Sequence, residues 1–203
     1  MCAIIGSFDK KTLAELYKLN SYRGELSYSV CSFKPKEKVE LGVLMKDEGK
    51  MPEELLFRYP SSFEDFHIAH SQAPTTDTKN VHPAVDGGAL LWHNGIIKQK
   101  TIEEGKWDTE WLLEQILDYG WSVLSRIDGT FACVMYNEGS LYVFRNEISP
   151  LFIDDSLNIS STRFSGGESL EPNKVFKLDL VKKKKYIEAE FETRENPYYI
   201  PEL

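Results

Sequence analysis

Short apolar or alternating segments, separated by turn residues, fill most of this 203-residue chain, and only two stretches carry a helical period. The opening Cys2-Ala3-Ile4-Ile5-Gly6 is an apolar run bounded by glycine, which suits a buried strand. β-like segments recur near residues 28–33, 39–45, 66–71 and 89–93, the last entered through an Asp86-Gly87-Gly88 turn. Residues 130–136 and 141–145 flank Asn137-Glu138-Gly139-Ser140 and read as a hairpin. Of the helical stretches, the first has Thr12-Leu13-Ala14-Glu15 as a capping box, with Leu13, Leu16, Tyr17 and Asn20 on one side and an end near Gly24. The second follows Asp108, a natural N-cap, and puts apolar residues 112, 113, 116 and 117 on one face. Many strands with few helices leave α/β or α+β with antiparallel sheets.

The length suits one domain over residues 1–203. With 41% hydrophobic and 28% charged residues, the composition is that of a soluble globular protein. The net charge of −8 argues against a nucleic-acid surface. The only basic run, Lys182 to Lys185, lies between two alternating segments and reads as a solvated hairpin tip. No apolar run reaches membrane-span length and no leader pattern precedes a cleavage site, so a cytoplasmic protein without a membrane partner is expected. Cysteines at 2, 31 and 133 form no disulfide framework. Cys31 and Cys133 read as buried strand residues.

Cys2 is different. Removal of the initiator methionine would give one residue both a thiol nucleophile and a free α-amine to act as its base. The reference pKa values, about 7.7–8.0 for the amine and about 8.5 for the thiol, suit proton transfer at neutral pH. A small core residue on a first strand is the other reading of the same position. The histidines do not suggest a metal site: His67 and His70 are an odd number of residues apart on a strand, and His82 and His93 lack zinc-ligand spacing. No metal or cofactor is expected.

The order of motifs along the chain carries a resemblance. Cys2, Arg23-Gly24, His70, His82-Pro83, His93-Asn94-Gly95 and Asp108-Thr109-Glu110 follow one another as do the motifs of the glutaminase domain of class II glutamine amidotransferases, such as glucosamine-6-phosphate synthase. Asp128-Gly129-Thr130-Phe131-Ala132 and the stretch from Arg145-Asn146-Glu147 to Pro150-Leu151 extend the resemblance to about residue 165. It implies the N-terminal-nucleophile hydrolase fold, a four-layer αββα sandwich of two antiparallel sheets flanked by helices. It further implies that Cys2 attacks the side-chain amide of glutamine to form a γ-glutamyl thioester, with the Asn94 amide and the Gly95 backbone N–H as the oxyanion hole. For Gly95 the absence of Cβ suits a backbone that must approach a ligand, although Asn-Gly alone reads as a tight turn. By the same resemblance Asp108 binds the substrate α-ammonium, Arg23 lies near the nucleophile, and Thr75 contacts substrate.

Gln72 departs from the family pattern, which has an arginine there for the α-carboxylate of glutamine. A charge-assisted bond is worth about 1.5–3 kcal/mol against about 0.5–1.5 for a neutral one, so affinity for free glutamine falls unless another cation compensates. The chain carries no synthase domain, which makes a separate ammonia-accepting synthetase subunit the expected partner. A stand-alone amidohydrolase on another γ-glutamyl or simple amide, and a silent binding subunit with the same fold, are the alternatives.

Overall fold

Five consecutive buried residues follow Cys2 as strand β1 (Ala3–Ser7), and the run is apolar because both of its faces are covered. Successive side chains point opposite ways. Ile4 joins a cluster with Phe33, Ile68, Trp92 and Val134 between two sheets, while Ile5 packs outward with Leu13, Leu16 and Tyr17. The computed structural model describes residues 2–59, 61–73, 80–98, 102 and 105–193.

Among these residues β1 is a central strand of a seven-stranded sheet. On one side it pairs with β4 (Phe66–Gln72), then β2 (Ser27–Lys34) and β3 (Glu40–Glu48). On the other it pairs with β10 (Ile159–Ser160), then β9 (Phe152–Ile153) and β11 (Glu168–Ser169). The facing six-stranded sheet orders β13 (Lys184–Glu190), β12 (Lys174–Asp179), β8 (Ser140–Arg145), β7 (Gly129–Asn137), β6 (Ala89–Ile97) and β5 (Ala84–Asp86). All pairings in both sheets are antiparallel.

Helices close the two outer faces. α1 (Lys10–Asn20) and α2 (Glu53–Arg58) cover the first sheet, with Leu13, Leu16, Tyr17 and Leu56 against Ile5, Val30 and Ala69. α3 (Asp108–Tyr119) and a 3₁₀ turn, Trp121–Arg126, cover the second, with Leu112, Leu113 and Ile116 against Leu91, Cys133 and Met135. The result is the expected α+β sandwich of helix, sheet, sheet and helix. The hairpins at Asn137-Glu138-Gly139-Ser140 and at the lysine run both form, although Lys184 and Lys185 belong to β13 rather than to the tip.

Both helix starts differ from expectation. Asp9 caps α1 by accepting from the backbone N–H groups of Lys11 and Thr12, which places Thr12 inside the first turn, donating its hydroxyl to the same carboxylate at 2.8 Å. A carboxylate three residues upstream thus outcompetes the Thr12 hydroxyl for the free N–H groups. The residue before α3 is Trp107, so Asp108 is the first helical residue and not the cap. No helix among the described residues is long and apolar enough to cross a membrane.

Candidate active site

Cys2 stands at the threshold of β1 with only 6% of its surface exposed. The β1–β4 register, Ala3 opposite Ser71, brings it beside the end of β4, where the Ala73 backbone N–H donates to the Cys2 Sγ at 3.4 Å. Arg23 Nε donates to the Cys2 carbonyl at 2.9 Å. Arg23 is buried, which rules out a surface arginine at the end of α1. Gly24 makes that approach possible: a Cβ there would lie 2.4 Å from the Gln72 carbonyl carbon and 2.6 Å from the Ala73 nitrogen. The Arg-Gly pair therefore lets one loop lie directly on the backbone next to the thiol. Burial is the largest influence on that thiol and pushes its pKa up; the Ala73 N–H and the Arg23 guanidinium favour the thiolate, and the Asp108 carboxylate opposes it. Cys31 and Cys133 are fully buried in strands, with thiols pushed up by burial.

Asn94 and Gly95 reach this region from the opposite sheet. The expected strand end at residue 93 is overrun, because β6 continues to pair with β7, Asn94 opposite Ala132 and Gly95 opposite Phe131. The two residues therefore form strand and not a tight turn. Asn94 Nδ2 donates to Ser161 Oγ at 3.2 Å, and the Ile4 backbone N–H donates to the same oxygen at 2.9 Å. Ser161 thereby ties Asn94 to the second residue after Cys2. A Cβ on Gly95 would fall 1.9 Å from the Thr130 carbonyl oxygen and 2.8 Å from His93 Nε2. What demands glycine is strand pairing and the His93 ring, where the sequence suggested approach to a ligand.

Asp108 opens α3 with its side chain 21% exposed; its Oδ1 accepts from the Thr109 N–H at 2.8 Å and its Oδ2 lies 3.8 Å from His93 Nδ1. Gln72 is buried, and its Oε1 accepts from Ser27 Oγ at 2.8 Å and lies 3.3 Å from His82 Nδ1. Thr75 falls outside the described residues. The structure thus gathers Cys2, Arg23, Asn94 and Asp108 around one end of the sandwich and turns the Gln72 oxygen toward protein partners. His82, His93, Thr109 and Ser161 join them without having been assigned roles from sequence. Three of these had a signal: His82, His93 and Thr109 sit inside the motif string, whereas only the tertiary structure could reveal Ser161. Among the described residues no group of three or more His, Cys, Asp or Glu is disposed to hold a metal ion.

No protein-family model matches the chain, and no curated protein matches it by sequence. Solved structures do. A glutamine phosphoribosylpyrophosphate (PRPP) amidotransferase from B. subtilis, complexed with ADP and GMP, aligns over 93% of this chain with a TM-score of 0.63 and 15% identity. The chain has the fold of a class II glutamine amidotransferase. A second structure, described as the allosteric regulatory enzyme of purine biosynthesis, aligns over 88% of the chain with a TM-score of 0.57 and 18% identity. The chain spans about half of each neighbour, 49% and 47%. At these identities the likeness carries the amidotransferase fold, and the chemistry has to be argued from the side chains.

Within that fold burial holds His67, His70 and His82 neutral. Burial lowers His70 to about 3 and His67 to about 4 from the usual 6.5, and pushes His82 well below it. His67 lies on the helix-facing side of β4 with Ser61 Oγ at 2.6 Å, and His70 on the inter-sheet side, as their odd spacing requires. On acidification the unfolded chain takes up protons near 6.5, whereas the folded rings wait until about 4 and 3. Stability is thus fully present above the unfolded value and is lost as pH falls through this window, by up to about 1.4 kcal/mol per pH unit for each ring. Thermal unfolding measured from about pH 7 to about pH 4 should show a steadily falling Tm, lessened in His67→Gln. A flat profile would mean that the rings already charge in the folded protein.

Proposed function

We propose that this chain is a glutaminase domain, occupying residues 1–203, that hydrolyses the side-chain amide of glutamine and delivers ammonia to a separate acceptor subunit. The observation that carries the reading is Cys2 itself, a thiol at the mouth of a central strand with a backbone N–H on its sulfur, a buried arginine on its carbonyl, and Asn94 brought in from the facing sheet. With Met1 removed, the Cys2 α-amine takes the thiol proton and Sγ forms a bond to the amide carbon. The carbonyl electrons move onto oxygen, which Asn94 Nδ2 and the Gly95 N–H stabilise. Collapse of this intermediate breaks the C–N bond, the amine returns the proton to the departing ammonia, and water then hydrolyses the γ-glutamyl thioester. Asn94 can serve because its amide has two N–H bonds: one is committed to Ser161 and the other remains for the oxyanion. Arg23 supports the thiolate, and Asp108 receives the α-ammonium of the substrate. Three free thiols fit a cytoplasmic setting.

Gln72 favours a second reading on one point. Its side-chain oxygen is engaged by Ser27 and faces His82, so position 72 offers no cation to an α-carboxylate. A γ-glutamyl or simple amide lacking that carboxylate is the corresponding alternative substrate.

Intact mass measurement combined with a glutamate-release assay tests the proposal. The expected result is a chain lacking Met1 that releases glutamate from glutamine. Full turnover by protein with Met1 retained would rule out the α-amine as base. A processed, folded protein that cleaves neither glutamine nor other amides would leave the fold as a binding module.

A further inference from the structure

A continuous string of hydrogen-bonding groups runs from Gln72 to the second sheet, and its proton count does not balance as the atoms stand. His93 Nε2 lies 3.2 Å from the Thr130 carbonyl, which can only accept, so His93 carries its proton on Nε2. Its Nδ1 lies 3.2 Å from Thr109 Oγ1, and Thr109 Oγ1 lies 3.2 Å from His82 Nε2. His82 Nδ1 completes the string at 3.3 Å from Gln72 Oε1, which also can only accept. Setting aside the long 3.4 Å contact of Thr109 Oγ1 with Asp108 Oδ1, these four contacts need four protons, whereas two neutral imidazoles and one hydroxyl supply three.

Two arrangements supply the fourth. Either one imidazole becomes a cation, or Gln72 turns its side-chain amide so that NH₂ faces His82. The surroundings decide. Burial first, then His70, His93 and Lys46, disfavour a charged His82, against only the His93 backbone. His70 stacks on His82 at 4.1 Å, and neither of its ring nitrogens has a partner that would share a charge. Among the described residues Asp108 is the carboxylate nearest the string; its Oδ2 lies 3.8 Å from His93 Nδ1, beyond hydrogen-bond reach, so a charged His93 would have no bonded counter-ion, and the protonation of both rings is what the test reads. Turning the amide loses nothing at the other end, because Ser27 Oγ accepts as readily as it donates.

We propose that Gln72, His82, Thr109 and His93 form a neutral, directional relay in which the Gln72 amide donates to His82 Nδ1, His82 Nε2 to Thr109, and Thr109 to His93 Nδ1. Gln72 is thereby a positioning residue for Asp108 and not a substrate ligand. The relay ends at Thr109 and His93, the residues that flank the Asp108 carboxylate, and so fixes where α3 begins relative to β4. Only the function given to Asp108 rests on the glutaminase reading.

The test is ¹⁵N NMR of histidine-labelled protein near neutral pH. His82 and His93 should both show a protonated Nε2 and a bare, hydrogen-bonded Nδ1. Gln72→Met should then shift the His82 Nδ1 resonance toward that of an acceptor without a donor. A protonated Nδ1 or an imidazolium at His82 or His93 in the wild type, or an unmoved resonance in Gln72→Met, overturns the relay. For the positioning role, Thr109→Val should raise KM for glutamine about tenfold, the scale of one weakened charged contact, with kcat nearly kept and with recovery in Thr109→Ser. Equal KM values in the two variants would remove that role. Should the wild type hydrolyse no glutamine, the glutaminase reading falls while the ring-nitrogen resonances still decide the relay.

Discussion

Replacing Cys2 by alanine or serine should abolish glutamine hydrolysis, a loss of about 10⁴-fold or more, with little change in Tm. The large effect follows from covalent chemistry, since the other two thiols, Cys31 and Cys133, are fully buried within strands. The small effect on stability follows from what the side chain touches: a weak contact from the Ala73 N–H, while the main chain stays anchored through Arg23 on the Cys2 carbonyl. Serine keeps the geometry and loses the nucleophile, so it separates chemistry from folding. A glutamine-mimicking electrophile should label Cys2 and spare Cys31 and Cys133, both fully buried. Labelling of Cys133 with full activity in Cys2→Ser would show that the nucleophile was wrongly chosen.

Asn94→Ala should lower kcat by about 10²–10³ and leave KM nearly unchanged, because an oxyanion donor acts on charge that develops only in the transition state. Asp108→Asn should do the reverse, raising KM by removing the charge opposite the α-ammonium. Ser161→Ala sharpens the comparison. It removes the oxygen that holds the Asn94 amide without touching the amide itself, so it should give a smaller fall in kcat of the same kind. If Asn94→Ala and Asp108→Asn lower thermal stability and leave the kinetics unchanged, both residues are structural only.

The strands and helices were legible because local pattern matched tertiary need: the apolar run of β1, the face of α1, and the hairpin around Gly139. What sequence misplaced were local signals overruled by distant partners. Asn94-Gly95 carries a strong turn signature, yet pairing with β7 holds it in a strand, and the glycine is there to clear Thr130 and His93. Thr12 looks like a cap until the Asp9 carboxylate is seen to hold the same N–H groups. Gln72 read as a weakened ligand because nothing local indicates that Ser27 and His82 lie within reach of it. The tail at Asn196-Pro197-Tyr198-Tyr199-Ile200-Pro201, rich in proline and aromatics, lies outside the described residues.

The placement of β1 also bears on the order in which this molecule assembles. Ile5 pairs with Ser160, and the Ile4 N–H donates to the hydroxyl of Ser161, 157 positions further along, so β1 is among the last strands to be enclosed. One edge of β1 has no partner until β10 docks. Enclosure of the Cys2 thiol is therefore a late, long-range event, and a variant that loosens β10 should leave that thiol open while the rest of the first sheet is already paired.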